Sequence, residues 1–145
     1  MFFPSRYFSK AEEERIVEAI RKAEKQTSGE LRVHVARKHK VDILTEAAKV
    51  FQKLGMDKTK ERNGVLFFIV PQKKQFAVIG DKGINEKVPE GFWDEVRDLM
   101  QDFFKKGEIT EGVCQGVTLA GHQLEQYFPG KDDDENELPD TVSYS

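Results

Sequence analysis

The sequence predicts an α/β domain in which about four helices pack around a small mixed sheet. Two observations predict the sheet: a strand, a helix and a strand in succession from residue 30 to residue 70, and an apolar hairpin from residue 65 to residue 80. A helix between two strands favours a right-handed crossover and parallel pairing. A short polar connection between two strands favours antiparallel neighbours. The predicted sheet therefore combines one parallel pair with one antiparallel pair.

The hairpin is the predicted centre of this sheet. Val65 to Val70 is an unbroken apolar run, which is typical of a strand buried on both faces. Gln75 to Gly80 continues the pattern after the polar turn from Pro71 to Lys74. The first strand, from Glu30 to Arg37, alternates apolar and polar residues, so one of its faces is predicted to pack on the core.

Four amphipathic helices are predicted from apolar residues at helical spacing. Ser9 and Glu12 form a capping box for the first helix, and Asp42 caps the second. A loop is predicted from Asp81 to Pro89, and Pro89 suits the first turn of the third helix. The fourth helix begins near Thr110. The first three helices are predicted to end at glycines in the left-handed conformation, namely Gly29, Gly55 and Gly107.

Composition limits the classes of function. The chain has 145 residues, a net charge of −3 and 34% charged residues, which gives no global preference for nucleic acid or anionic lipid. No run approaches the roughly 20 apolar residues that cross a membrane, and the first residues lack the pattern of a signal peptide. A cytoplasmic location is therefore expected if this is the full translation product. The single cysteine, Cys114, excludes an intrachain disulfide and a cysteine metal cluster.

The sequence divides into one domain, residues 8–129, and an acidic tail, residues 130–145. The tail is poor in apolar residues and is predicted to be mobile. Asp132 to Glu135 superficially suggest a calcium loop, but they lack the alternating ligands and central glycine of an EF-hand. A solvated tail is the better interpretation.

Polar residues are predicted to meet at one end of the sheet. Glu30 and Asn63 begin the two parallel strands, and Asp81 follows the strand that runs back to the same end. The loop that carries Asp57 opens there as well. Carboxylate and amide oxygens suit Ca²⁺ or Mg²⁺ better than zinc. Each residue alone also fits a structural role in a strand start or turn, so the convergence carries the prediction of a metal site.

Several stretches together resemble the TPM domain family, named for thylakoid-lumen, photosystem II repair and acetylcholine-receptor-modulator members. The stretches are TSGELRVHV, MDKTKERNGVLFFIV, FAVIGDKGIN and KKGEITEGVCQGV. The resemblance implies a three-layer α/β/α sandwich. It also implies calcium binding and, in some members, acid phosphatase activity in a polar cleft at one end of the sheet. Carried over by position, the implied site consists of Glu30, Asp57, Asn63 and Asp81, with Gly80 and Gly83 shaping the loop.

Three functions are consistent with this sequence. The first is a module that binds a divalent cation, with calcium before magnesium, and serves in assembly or repair of a partner complex. The second is a metal-assisted phosphatase in which Asp81 either holds the metal or attacks phosphorus. The third is a protein-interaction domain that needs no metal. Cation binding is the favoured hypothesis, because the sequence offers no evident activated nucleophile or general acid near the site.

Overall fold

A four-stranded mixed sheet forms the middle layer of the molecule. The computed structural model describes residues 7–38, 41–130 and 140–145. The strands are β1 (Glu30–Val35), β2 (Gly64–Val70), β3 (Gln75–Gly80) and β4 (Ser143–Tyr144), in the spatial order β3-β2-β1-β4. β1 is parallel to β2 and to β4, whereas β2 and β3 are antiparallel. The predicted parallel pair and the predicted hairpin are confirmed.

Helices cover both faces of the sheet. They are α1 (Lys10–Gln26), α2 (Ile43–Lys53), α3 (Lys82–Asn85), α4 (Asp94–Lys105) and α5 (Ile109–Leu124). The apolar side chains of α1, α4 and α5 form one core cluster with one face of the sheet. Those of α2 form a second cluster with the opposite face. The predicted three-layer α/β/α sandwich is therefore confirmed.

The middle strand β2 is buried along its whole length. Val65, Phe67 and Ile69 point into the larger cluster, and the residues between them point toward α2. An apolar side chain contributes about 1.5–3 kcal/mol when it is fully buried, so this strand is a main contributor to stability. The run is apolar without interruption because both faces of the strand are buried.

Local signals explain where most helices begin and end. The Ser9 Oγ accepts from the Glu12 N–H at 3.1 Å, and the Glu12 carboxylate accepts from the Ser9 N–H at 2.9 Å. Gly55 and Gly107 have φ angles of 73° and 78°, as predicted for helix-ending glycines. The prediction for Gly29 was wrong. α1 ends at Gln26, and an extended Thr27 caps it.

Three further details differ from the sequence prediction. α4 begins at Asp94 and not at Pro89, because residues 89–93 form turns in which Gly91 has a φ angle of 78°. The helical spacing of Leu44, Ala47, Ala48, Phe51 and Leu54 predicts that they form the apolar face of α2, but Leu44 is 56% exposed and Val50 is buried instead. The segment after Asp81, predicted to be a loop, contains the short helix α3, because the Asp81 carboxylate caps it.

Small residues let α5 approach two neighbouring helices. A Cβ at Gly116 would lie 2.5 Å from Met100 Sδ on α4. A Cβ at Gly121 would lie 2.6 Å from Ala23 Cβ on α1. Both distances are shorter than real Cβ contacts, so these glycines are required by the close packing of the helices.

The end of the chain adds the strand β4, which the sequence analysis missed. The Ser145 N–H donates to the Val35 carbonyl oxygen at 2.9 Å. On the neighbouring residue, His34 Nδ1 lies 2.7 Å from Ser143 Oγ and Nε2 lies 2.9 Å from Ser145 Oγ. Hydrogen bonds hold this segment to β1, and the half-buried Val142 and Tyr144 pack against the larger core cluster. The part of the predicted acidic tail at residues 131–139 lies outside the described residues.

His34 is a neutral part of the core. It is 4% exposed and its ring stacks on Phe68 with a centroid distance of 5.8 Å. Burial, followed by the positive charges of Arg32 and Lys53, lowers the pKa of His34 to about 4. In the neutral imidazole one ring nitrogen donates and the other accepts, which matches the two serine hydroxyls. His34 thus has a structural role.

Glu24 on α1 joins the same edge of the sheet. Its carboxyl oxygen accepts from the Leu31 N–H at 3.2 Å, where β1 extends beyond the short β4. Burial, followed by the hydrogen bond and the charge of Asp140, raises the pKa of Glu24 to about 9. At neutral pH the protonated carboxyl therefore donates to Asp140 and connects α1 to the C-terminal segment.

This protonated carboxyl makes stability depend on pH. The pKa of Glu24 is about 9 in the folded state and 4.5 for an unperturbed glutamate, as in the unfolded state, so between these values the folded state binds more protons than the unfolded state. The free energy of unfolding therefore falls as pH rises through this window, by up to about 1.4 kcal/mol per pH unit. We expect Glu24→Gln to remove this contribution, because glutamine keeps the hydrogen bonds and has no proton to lose.

Chemical denaturation between about pH 7.5 and pH 8.5 checks this expectation, because the imidazole of His34 is mostly neutral there in both the folded and the unfolded state. Glu18→Gln, an exposed change on the same helix, is the matched control and should keep the wild-type slope. A wild-type slope in Glu24→Gln would contradict the assignment.

Candidate functional site

Backbone hydrogen bonds bring three polar residues to one end of the sheet. The Glu30 N–H donates to the Asn63 carbonyl oxygen at 3.1 Å, where β1 and β2 begin. The Asp81 N–H donates to the Gly64 carbonyl oxygen at 2.9 Å, where β3 ends. The predicted convergence of the three backbone positions is present in the structure. Their side chains, however, point to different surroundings.

A cavity of about 490 Å³ opens at this end of the sheet, beside α2 and α3. We call it the carboxylate pocket. Its wall includes the apolar side chains of Phe51 and Ile79. The polar residues that line it are Gln52, Asp57, Arg62, Asp81, Lys82, Asn85 and Glu86. Oxygen donors and two cationic groups therefore share one small space.

Asp81 is the most constrained carboxylate of the pocket. Arg62 donates to it twice, from Nε at 2.7 Å and from Nη2 at 2.9 Å, and the Lys82 N–H donates at 2.7 Å. The Asp81 side chain is 6% exposed, whereas that of Arg62 is 45% exposed. The hydrogen bond to Asp81 raises the pKa of Arg62. Asp81 therefore caps α3 and has a positive charge beside it.

Arg62 has an unusual backbone conformation. Its φ angle is 51°, in the left-handed region that residues other than glycine seldom adopt. Two backbone hydrogen bonds hold it: its N–H donates to the Thr59 carbonyl oxygen at 3.3 Å, and its carbonyl accepts from the Gly83 N–H at 2.9 Å. The loop before β2 is thereby fixed against the start of α3, with the guanidinium directed to Asp81.

Asp57 reaches the same pocket from the 3-10 turn Met56–Lys58 that follows α2. Its Oδ1 atom is enclosed and has no hydrogen-bond partner in the part of the chain that the structure describes. The charge of Asp57 also acts on Arg62 and contributes, more weakly than Asp81, to its raised pKa. A carboxylate oxygen enclosed without a donor is an unfavourable arrangement that a cation would relieve.

Glu30 and Asn63 lie outside the lining of the carboxylate pocket. The Asn63 Nδ2 donates to the Ser28 carbonyl oxygen at 3.0 Å, which connects the turn before β1 to β2. Glu30 is buried, and its charge is one of the weaker causes, after burial, of the raised pKa of Glu24. The structure thus places Asp57 and Asp81 together and directs the other two predicted ligands to the interior beside β1.

Sequence reasoning missed three oxygen-bearing residues of the pocket: Gln52, Asn85 and Glu86. Asn85 Nδ2 donates to the Gly80 carbonyl oxygen at 3.2 Å, so its position is fixed relative to the end of β3. Asn85 and Glu86 were missed because the segment after Asp81 was predicted to be a loop. An aspartate directly before a helix is a recognisable capping signal. With Asp81 as the cap, a helix could have been predicted to follow, which places Asn85 one turn after Asp81.

The predicted loop-shaping role of Gly83 has a clear steric basis. A Cβ at Gly83 would lie 2.1 Å from the Glu61 carbonyl oxygen and 2.7 Å from that of Arg62. Only glycine permits this approach of two backbone segments. Gly80 is less constrained, since its nearest neighbour would be Ile84 Cγ2 at 3.2 Å.

The donor set fits a hard cation only in part. Within residues 7–38, 41–130 and 140–145, no three histidine, cysteine, aspartate or glutamate side chains are arranged to hold a metal. Ca²⁺ takes 6–8 oxygen ligands, which include amide and backbone carbonyl oxygens and water. Asp57 and Asp81, with the amides of Gln52 and Asn85, offer such donors. The pocket therefore suits a low-affinity site completed by water.

Comparison with known families and structures gives a consistent result. The TPM domain family model matches residues 3–123. The NMR structure of the BA42 protein from the psychrophilic bacterium Bizionia argentinensis has a TM-score of 0.93 and 44% identity, with 100% of both chains covered. No curated protein matches the chain.

Two more distant structures share the fold. The N-terminal domain of a P. gingivalis protein has a TM-score of 0.69 and 21% identity, over 83% of this chain and 78% of that one. The N-terminal domain of the cg2496 protein from Corynebacterium glutamicum has a TM-score of 0.64 and 11% identity, over 94% and 80%. Among the described residues, no helix combines the length and the hydropathy of a membrane span.

Proposed function

The chain belongs to the TPM domain family, and we propose that it is a divalent-cation-binding domain, with calcium as its metal and magnesium as the alternative. One observation supports this proposal above the others. The enclosed Oδ1 of Asp57 has no hydrogen-bond donor within the described residues and shares a pocket with Asp81. A cation near both carboxylates would supply the missing positive partner of Asp57.

Arg62 has a specific role in this proposal. In the absence of a metal, its guanidinium neutralises Asp81. The pair is bidentate, and the Asp81 side chain is 6% exposed whereas the Arg62 side chain is 45% exposed. A divalent cation in place of the guanidinium would keep a positive charge beside the buried carboxylate, and the guanidinium would move into solvent. Arg62 is an internal competitor that lowers the affinity of the site.

The expected affinity is low. Ca²⁺ sites with few charged ligands have dissociation constants of about 10⁻⁴–10⁻³ M. The carboxylate pocket has two predicted ligands with negative charge, Asp57 and Asp81, and one cation to displace. Binding would move the Arg62 side chain away from Asp81 and change the charge exposed at this corner. A partner complex that contacts this corner would then respond to cation binding. In this way the domain would serve in assembly or repair of that complex.

Backbone amide NMR during calcium titration tests the proposal. We expect saturable shifts at Asp57, Arg62, Asp81 and Asn85. Asp57→Asn should weaken binding at least about tenfold, because it removes a carboxylate charge. Arg62→Gln should tighten binding several-fold, because it removes the competing cation. Asp98→Asn, at an exposed position of α4, is the control for net charge and should bind as the wild type.

Two results would reject cation binding at this pocket. One is the absence of saturable shifts at these amides. The other is an equal loss of affinity in Asp57→Asn and Asp98→Asn, which would indicate a general effect of charge. A protein that fails both the calcium titration and a phosphatase assay would favour the metal-independent interaction domain.

Acid phosphatase activity is the second candidate function. Arg62 and Lys82 place two cationic side chains beside Asp81 in one pocket, and such groups stabilise the charge of a phosphoryl group. Asp81 would have to leave its hydrogen bonds with Arg62 in order to act as a nucleophile. Cation binding also removes Arg62 from Asp81, but it leaves a positive charge beside the carboxylate, and the enclosed Oδ1 of Asp57 supports it independently, so it is the preferred proposal.

A phosphomonoester assay with calcium or magnesium present checks this second candidate. If the activity is real, Asp81→Asn should lower the rate of phosphate release at least about a hundredfold, because a nucleophile is lost. Asp98→Asn serves as the control on α4 and should leave the rate unchanged. An equal rate in wild type and Asp81→Asn would attribute the release to a contaminant.

A further inference from the structure

The outer edge of β1, on the side away from β2, holds residues 140–145 of the same chain. We propose that this edge is a docking site for an extended segment of a partner protein, which runs parallel to β1 and carries an apolar, a hydroxyl, an aromatic and a hydroxyl side chain in succession. Residues 142–145, with the sequence Val-Ser-Tyr-Ser, have this pattern and occupy the site within the chain. They show which chemistry the edge accepts.

Alternate backbone groups of β1 face this edge. The N–H groups of Glu30 and Ala36 donate to carbonyl oxygens of Asn63 and Ile69, on the side of β2, at 3.1 and 2.8 Å. The residues between them with odd numbers therefore turn their backbone groups away from β2. These groups, together with those of the next odd-numbered residue after β1, form what we call the docking edge: Leu31, Val33, Val35 and Arg37.

Main-chain hydrogen bonds cover only one end of the docking edge. The Ser145 N–H donates to the Val35 carbonyl oxygen at 2.9 Å, and the Ser145 carbonyl oxygen accepts from the Arg37 N–H at 3.4 Å. The strand β4 itself consists of two residues, whereas β1 has six. Most of the docking edge therefore lies beyond the ladder that β4 forms.

Side chains take the place of a strand at the other end. The Ser143 hydroxyl donates to the Val33 carbonyl oxygen at 3.5 Å, and the Glu24 carboxyl accepts from the Leu31 N–H at 3.2 Å. A longer strand would bond these two backbone groups with its own main chain. It would thus gain ladder hydrogen bonds that residues 140–145 do not make, which is the way in which extended segments are added to a sheet edge.

The side chains of the docked segment alternate between two surroundings. Val142 and Tyr144 pack against the larger core cluster, and the Tyr144 hydroxyl donates to the Glu13 carboxylate on α1. Ser143 and Ser145 point to the opposite face of the sheet. This alternation is that of a strand, and it separates the apolar and aromatic positions of the pattern from the two hydroxyl positions.

His34 selects the two hydroxyl positions. The buried ring has its Nδ1 2.7 Å from Ser143 Oγ and its Nε2 2.9 Å from Ser145 Oγ. A neutral imidazole has one donor and one acceptor, and a hydroxyl group can serve either. An occupant without these hydroxyls would leave buried ring nitrogens unpaired, which is unfavourable. Serine or threonine is therefore required at both positions of a partner segment.

Charge complementarity adds an acidic residue to the preferred partner segment. Asp140, two positions before the apolar residue, lies 3.7 Å from Arg21 Nε and accepts a hydrogen bond from the Glu24 carboxyl. The Asp140 side chain is 17% exposed, so this pair is less screened than a pair in open solvent. A partner segment of the form acid, any residue, apolar, hydroxyl, aromatic, hydroxyl would make all these contacts.

Residues 140–145 are held loosely enough to be exchanged. Each of them is exposed or half-buried, in contrast to the fully buried β2. Segments with few buried apolar contacts open at the lowest free energy, and an opened edge presents backbone groups that require partners. A tethered segment competes at an effective concentration on the order of millimolar, so it lowers the apparent affinity for a partner. Docking at this edge does not require cation binding in the carboxylate pocket.

Fluorescence anisotropy with a synthetic peptide tests the docking edge in metal-free buffer. The peptide has the sequence of residues 140–145, Asp-Thr-Val-Ser-Tyr-Ser, and a dye on a spacer at its amino end. The full chain with Ser143→Ala and Ser145→Ala should bind it at least about tenfold more tightly than the wild type, because the competing segment has lost its hydrogen bonds to His34. Thr141→Ala, an exposed change in the same segment, is the matched control and should bind as the wild type.

A second peptide tests the specificity of the site. It carries alanine in place of both serines and should bind the double variant at least about tenfold more weakly than the first peptide, because His34 would lose both partners. Amide NMR of the double variant should show saturable shifts at Leu31, Val33, Val35 and Arg37 with the first peptide. If the double variant disturbs the fold, the wild type with each peptide at millimolar concentration gives the same comparison.

Three results would overturn the proposal. The first is equal binding of the two peptides, which would indicate non-specific association. The second is that the double variant binds the first peptide no more tightly than the wild type does. The third is a wild-type dimer, measured by light scattering, that dissociates when the two serines are replaced, which would assign the edge to a second copy of the chain. Because no metal is present, a failure here is distinct from a failure of calcium to bind the carboxylate pocket.

Discussion

β2 is covered by helices on both faces and by strands on both edges, and the other elements take their places from this burial. An apolar strand that must be buried on two faces requires three layers. A helical connection makes β1 parallel to β2, and a short turn makes β3 antiparallel to it. The starts of β1 and β2 and the end of β3 consequently lie at the same end of the sheet. The position of the candidate site is therefore a consequence of how the core is formed.

Arg62 links two cavities at this end of the sheet. It lines both of them, and in this structure its guanidinium is bound to Asp81. The left-handed backbone conformation of Arg62 is part of the arrangement that places this charged group between the two cavities.

Periodicity and strand direction predicted the three layers and the mixed sheet. They also predicted that Glu30, Asn63 and Asp81 lie at the same end of the sheet. They did not predict the directions of side chains, which depend on partners distant in the sequence. Asn63 is directed away from the pocket by the Ser28 carbonyl oxygen, and Arg62 reaches Asp81 across 19 positions of the chain. β4 was missed because hydrogen bonds from His34 to serine hydroxyls carry no hydropathy pattern.

A crystal structure determined with saturating calcium tests the central claim most directly. The account predicts a calcium ion, identified by its anomalous signal, with Asp57 and Asp81 among its ligands and with the Arg62 guanidinium moved away from Asp81. Amide oxygens and water would complete the 6–8 ligands that calcium requires. An intact Arg62–Asp81 pair with no ion beside Asp57, at a calcium concentration well above 10⁻³ M, would contradict it.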